Sequence, residues 1–148
     1  MKILFVCTGN TCRSPMAQAL ASHLAEKMDI PIEADSAGLM VIPGSKVSKY
    51  SVDAMMELGI DISSHSPKAI TPELLDSADL ILTMTKSQKD LIIKSIPFYS
   101  EKVKSLGEYI INGDIADPYG ADFNTYKECA SQIKDAIVSL YERTDFNE

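Results

Sequence analysis

The residues best suited to chemistry in this chain stand in one short run, Cys7-Thr-Gly-Asn-Thr-Cys-Arg13, with Ser14 and Pro15 directly after it. The run sets a thiol and a guanidinium with five residues between them. A thiolate is a strong nucleophile, and a helix N-terminus and a neighbouring cation both favour that charged form. The planar fork of Arg13 can grip two oxygens of a phosphate while the phosphorus stays open to the thiolate. Arg13 and Arg143 are the only arginines among 14 basic residues, so Arg13 does not read as a casual surface charge. The chemistry implied is capture of a phosphate group and attack on it by Cys7. Gly9 is expected to permit a backbone turn that other residues resist. Asn10 is a candidate brace for the loop, and Ser14 a candidate donor to the thiolate.

That chemistry needs a strand ending near Cys7 and a helix starting just beyond the loop. Met1-Lys-Ile-Leu-Phe-Val6 reads as a short buried strand. From Pro15 onward Met16, Leu20, Leu24 and Met28 recur at near-four spacing, with Ala17, Ala21 and Ala25 beside them. Ser14 is the expected N-cap and Pro15 the expected first helical residue, where its missing N–H costs nothing. Residues 8–12 then deliver their amides to a helix N-terminus, where free N–H groups and the macrodipole favour an anion. Further along, the pattern predicts a strand over Ile32–Ser36 and a helix over 47–58. A short helical stretch opens at Thr71-Pro72-Glu73, followed by a strand over Asp79–Met84, a helix over 86–95 and a strand near Lys102–Leu106. A closing helix runs from about Asp122 to Tyr141, with Tyr126, Ala130, Ile133, Ile137 and Leu140 on one face. Strands alternating with helices predict an α/β fold: a four-stranded parallel sheet with helices on both faces, in three layers with right-handed crossovers. Ligand then sits at the carboxyl ends of the strands, where the Cys7 loop lies.

Bulk properties fit one small enzyme. At 148 residues the chain is expected to form a single domain, residues 1–148, that buries about two-thirds of its unfolded surface. A net charge of −7 argues against a nucleic-acid surface, which needs basic clusters. The opening apolar run ends at Thr8 and Gly9, too short for a signal peptide, and no segment reads as a membrane span. Three cysteines are too few for a secreted disulfide framework, so a cytoplasmic, reducing compartment is expected. The spacing of Cys7, Cys12 and the histidines is not that of a zinc site, so neither metal nor cofactor is expected. His23 reads as a surface or boundary residue, and Cys129 as structural.

A second motif, Asp117-Pro118-Tyr119-Gly120, lies near the C-terminus. An Asp-Pro dipeptide is by itself a common turn starter. Together with the Cys7 loop, however, it resembles the low-molecular-weight protein tyrosine phosphatases, in which a phosphate loop follows the first strand and a general-acid loop comes late. The resemblance spans essentially the whole chain and implies that family's three-layer fold. It implies Cys7, Arg13 and Asp117 as catalytic residues. Cys7 attacks phosphorus to form a phosphocysteine, Arg13 holds the equatorial oxygens, and Asp117 protonates the leaving group. A free aspartic acid is ionised at neutrality, so the surroundings must keep Asp117 protonated, and Asp114 and Asp122 are candidates for doing so. The substrate-binding set implied is Thr8, Gly9, Asn10, Thr11, Cys12, Ser14 and Tyr119. Asp35-Ser36-Ala37-Gly38 and His65 resemble positions that brace the loop, so Ser36 and His65 are expected supports. Some members carry a cysteine at the place of Cys12 and use it for reversible protection; a bystander thiol is the alternative.

Thr11 narrows the resemblance. Tyrosine-specific members usually place a bulky aliphatic residue there, whereas a threonine is similar to the bacterial protein arginine phosphatases of the same family. Tyr119 is followed directly by Gly120, where many tyrosine phosphatases carry a second aromatic. The acidic charge over 114–122 also suits a cationic side chain. Phosphoarginine is therefore the favoured substrate, on phosphorylated protein partners, with phosphotyrosine the alternative. An arginine phosphatase would oppose a protein-arginine kinase. A thiol arsenate reductase on this fold would need further cysteines after the third strand, and residues 83–100 contain none. A non-catalytic phosphate-binding module would predict loss of Cys7 or Asp117, and both are present.

Overall fold

The computed structural model describes residues 1–111 and 113–146. Four strands form one parallel sheet: β1 (Lys2–Cys7), β2 (Glu33–Gly38), β3 (Leu80–Thr83) and β4 (Val103–Ser105), in the order β2-β1-β3-β4. The helices are α1 (Arg13–Met28), α2 (Lys49–Glu57), α3 (Pro72–Ser77), α4 (Lys86–Ser95) and α5 (Phe123–Arg143). Two 3₁₀ turns that the apolar periodicity did not announce, Pro97–Lys102 and Leu106–Tyr109, flank β4. No helix among the described residues is long and apolar enough to cross a membrane.

Strand alternation splits the core into two layers. Ile3, Phe5 and Cys7 face a cluster with Met16, Leu20, Ile133 and Ile137, contributed by α1 and α5. Leu4 and Val6 face the other side, against Leu75, Ile81, Ile92 and Val103. The expected stripe on α5 is buried along its length, from Tyr126 to Leu140. On α1 the stripe holds from Met16 to Leu24, while Met28 is exposed at the last turn.

β1 is the switch point of the sheet. Its neighbours are β2 on one side and β3 on the other, with Cys7 paired to Gly38 and Val6 to Thr83. Chain connections leave this strand pair in opposite directions, which opens a crevice at the carboxyl end of β1. Cys7 is the last residue of that strand.

Two local expectations are corrected. α1 starts at Arg13 with Cys12 as its N-cap, and no side chain caps it. Ser14 is therefore inside the first turn rather than at the cap, because its hydroxyl is taken by Asn10 and Cys7. Pro15 becomes the third helical residue, still within the turn whose N–H groups have no helical partner. The left-handed residue of the loop is Asn10, at φ 56°, and not Gly9. Asparagine tolerates that conformation because its short polar side chain can bond locally, as Asn10 does.

Candidate active site

The loop between β1 and α1 wraps one end of a cavity of about 490 Å³. Cys7, Thr8, Gly9, Thr11, Cys12 and Arg13 line it from the loop, and Asp117 and Tyr119 line it from the opposite side. The two motifs, more than a hundred residues apart in sequence, thus share one pocket. Because α1 lacks a side-chain cap, its first amides are left for whatever the loop holds.

Asn10 of the loop joins Ser14, Ser36 and His65 in a connected network. Cys7 Sγ is 2.9 Å from Ser14 Oγ. Asn10 Nδ2 donates to Ser14 Oγ at 2.7 Å and to Ser36 Oγ at 3.0 Å, which uses both amide hydrogens. Ser36 in turn donates to Gln18 Oε1 at 2.6 Å. With Ser14 Oγ accepting from Asn10, the Ser14 proton is free to point at the Cys7 sulfur. On the far side of Asn10, Oδ1 accepts the Lys68 backbone N–H at 3.0 Å and lies 3.1 Å from His65 Nε2. The same Nε2 is 3.3 Å from the Asn10 carbonyl. Both neighbours are acceptors, so this nitrogen carries the hydrogen.

Burial holds His65 below the ordinary histidine value; Lys68 adds to the shift, while the bond to Asn10 and the nearby Asp35 oppose it. The unfolded chain therefore binds more protons than the folded one in the window at and below the ordinary value, ~6.5. Stability from this group is present above that window and is lost as the pH falls through it. The expected result is that the Tm advantage of wild type over His65→Gln shrinks between pH 7 and pH 5. A difference independent of pH in differential scanning calorimetry would contradict this.

The segment just after β2 meets the loop backbone to backbone. Leu39 N–H donates to the Cys7 carbonyl at 3.0 Å, and Met40 N–H to the Thr8 carbonyl at 2.8 Å. This close approach requires glycine at position 38: a Cβ there would stand 2.7 Å from Val41 Cγ2, 2.8 Å from the Thr8 carbonyl oxygen and 3.1 Å from the Asn10 nitrogen. Gly38→Ala is expected to cost roughly 1–3 kcal/mol of stability through overpacking. It should also lower turnover, because the atoms pushed belong to the phosphate loop. Unchanged Tm and kcat together would show that the loop yields freely.

Arg13 joins the two motifs. Only 5% of it is exposed, and its NH1 group donates to the Ile115 carbonyl at 2.9 Å. Its other terminal nitrogen lies 3.8 Å from an Asp117 carboxylate oxygen. The Asp117 side chain is half exposed and accepts from the Tyr119 N–H at 3.1 Å, closing the turn. The Ile115 N–H donates to the Met84 carbonyl at 2.9 Å, which ties the segment leading to Asp117 to the end of β3. Asp114 and Asp122 are occupied elsewhere: Asp114 accepts from Lys86 N–H at 2.8 Å, and Asp122 caps α5 through Thr125. The charge set directly against Asp117 is Arg13, not either flanking aspartate.

Cys12 is buried, with its sulfur 3.5 Å from the Tyr126 hydroxyl and 3.6 Å from Thr11 Oγ1. Burial pushes the Tyr126 phenol up to about 12, which keeps it protonated. Cys129 sits beneath the Asp117 segment, 3.8 Å from the Ala116 carbonyl, and burial lifts its thiol to about 12, an inert value. All three cysteines are free. Sequence reasoning missed Gln18, Gln88 and the pocket rim of Met40, Ile42, Lys46 and Ser48, which follows β2. The exposure of Met40 and Ile42, at 73% and 71%, fits a mouth that meets a partner rather than a core.

A buried thiol at the switch point, a loop of amides with one buried arginine and a carboxylate across the cavity together make the kind of site that a cysteine-dependent phosphatase needs. A family model for low molecular weight phosphotyrosine protein phosphatases matches residues 2–147, and the chain belongs to that family. A protein-arginine-phosphatase of Bacillus subtilis is 39% identical over 142 residues, covering 95% of this chain and 94% of that protein. The low molecular weight protein-tyrosine-phosphatase PtpB of Staphylococcus epidermidis is also 39% identical, over 143 residues, covering 95% and 96%. The crystal structure of the low molecular weight protein tyrosine phosphatase from T. tengcongensis aligns with a TM-score of 0.92 at 38% identity, covering 97% of this chain and 99% of that one. The expected three-layer fold is the fold of these relatives.

Proposed function

We propose that this protein hydrolyses phosphoarginine on proteins through a phosphocysteine intermediate. The Cys7 thiolate attacks phosphorus, the S–P bond forms as the P–N bond breaks, and the leaving guanidine nitrogen takes a proton from Asp117. Asp117, now a carboxylate, removes a proton from water, which attacks the phosphocysteine and releases phosphate and the thiolate. Arg13 and the loop amides hold the three equatorial oxygens throughout. Thr8, Gly9, Asn10, Thr11, Cys12 and Ser14 form that loop and the turn behind it, Tyr119 walls the substrate side, and Ser36 and His65 brace Asn10.

The observation that carries arginine over tyrosine is Thr11 at the cavity wall, where tyrosine-specific members place a bulky aliphatic residue. A hydroxyl there serves a polar guanidine better than a phenyl ring, and Tyr119 supplies only one aromatic face. The Bacillus subtilis arginine phosphatase supports the reading. Equal identity to a staphylococcal tyrosine phosphatase keeps phosphotyrosine as the second reading. On this proposal all 148 residues act as one phosphatase unit in the cytoplasm, opposite a protein-arginine kinase. Three cysteines, too few for a secreted disulfide framework, support the reducing compartment.

The test is Thr11→Ile against wild type on phosphoarginine and phosphotyrosine peptides of one sequence. The kcat/KM ratio is expected to move toward phosphotyrosine by about tenfold or more, the scale of a single pocket contact. An unchanged ratio would remove Thr11 as the filter.

A further inference from the structure

Gln88 belongs to α4, outside both motifs, yet its side chain is buried and reaches the phosphate loop. Its Oε1 accepts the backbone N–H of Met84 at 3.0 Å and of Thr85 at 3.1 Å. Both partners are obligate donors, so the amide oxygen must face them and the NH₂ group must face away. There it donates to Thr8 Oγ1 at 3.1 Å. The cap of α4 is complete with the oxygen alone, so this second bond is not needed to start the helix.

The consequence falls on Thr8. Its hydroxyl receives a hydrogen from the Gln88 side, so its own proton must point elsewhere. Among the described residues that hydroxyl has no second partner. Thr8 lines the cavity beside Cys7, and its backbone is pinned by the Met40 N–H at the carbonyl. We infer that Gln88 orients the Thr8 hydroxyl as a donor to a phosphoryl oxygen held in the loop, adding one side-chain donor to the amides and Arg13. Gln88 is the positioning residue, and Thr8 touches the substrate. The inference rests on the phosphatase reading but not on the choice of substrate, because the phosphoryl group is common to phosphoarginine and phosphotyrosine.

The probe is inorganic phosphate, with affinity measured by titration calorimetry and Tm measured in parallel. Thr8→Val should weaken phosphate binding about tenfold, the scale of one hydrogen bond to a charged group, while Thr8→Ser stays near wild type. Gln88→Met should weaken binding by a similar factor and lower Tm through the lost cap. In a Thr8→Val background it should still lower Tm but leave phosphate affinity unchanged, which a merely structural role would not produce. Should Gln88→Met fail to fold, the Thr8→Val and Thr8→Ser pair decides. Wild-type affinity in Thr8→Val, equal losses in Thr8→Val and Thr8→Ser, or the full Gln88→Met loss in the Thr8→Val background would each overturn the inference. Wild type that binds no phosphate at all would sink the phosphatase reading itself, and this inference with it.

Discussion

Cys7→Ser is expected to lose turnover on any phosphorylated substrate by about 10⁴-fold or more while still binding phosphate. The hydroxyl of a serine is a far weaker nucleophile at neutral pH than a thiolate, and covalent catalysis splits the reaction only if the first attack occurs. The rest of the site does not depend on the sulfur. Asn10 would still donate to Ser14 and Ser36, and Arg13 would still bond the Ile115 carbonyl. Binding and turnover should therefore separate. Steady-state kinetics together with phosphate-induced stabilisation measure the two independently. Residual activity within tenfold of wild type would mean that Cys7 is not the nucleophile. A wild-type protein that bound phosphopeptide without ever turning it over would instead favour the binding-module reading.

Arg13→Lys should be the next most damaging change, with kcat/KM lower by about 10³-fold, the upper end of the range for losing one preorganised donor group at developing charge. Charge is preserved, so an effect of that size must come from geometry. Lysine is a point charge that cannot grip two equatorial oxygens in a plane. It also cannot hold phosphate and the Ile115 carbonyl at once, and that carbonyl bond is what ties the acid loop to the phosphate loop. Both consequences should appear: a lower kcat through a misplaced Asp117 and a weaker hold on phosphate. If only phosphate affinity falls, the Arg13–Ile115 tie does not position the acid. If Arg13→Lys retains most of its activity, the guanidinium is not the oxyanion clamp described here.

Much of this was legible in the sequence because it was local. A buried strand, a glycine-bearing loop and an apolar helical stripe succeed one another within the first 28 residues, and each has its own signature. The strand–helix alternation was enough to give the sheet type, and α4 was expected over the residues it occupies. What was not legible depended on the third dimension. Gln18 and Gln88 are polar residues on helices, which a linear reading assigns to a solvated face. Only the sheet order brings one beneath Ser36 and the other beside Thr8. Ser14 satisfies every local rule for an N-cap, yet the tertiary demand of Cys7 and Asn10 displaces it into the helix. The negative charge near Asp117 was read from neighbours in sequence, but Asp114 and Asp122 turn to Lys86 and Thr125, and the partner that reaches Asp117 is Arg13.

A competition in a single tube separates the two substrates. A protein carrying both phosphoarginine and phosphotyrosine is incubated with the wild-type enzyme, and phosphorus NMR follows the P–N and P–O signals separately as inorganic phosphate appears. The P–N signal is expected to disappear first, at a rate that Cys7→Ser abolishes. Loss of the P–O signal first, with the P–N signal left standing, would contradict it and make this chain a tyrosine phosphatase with a threonine in its loop.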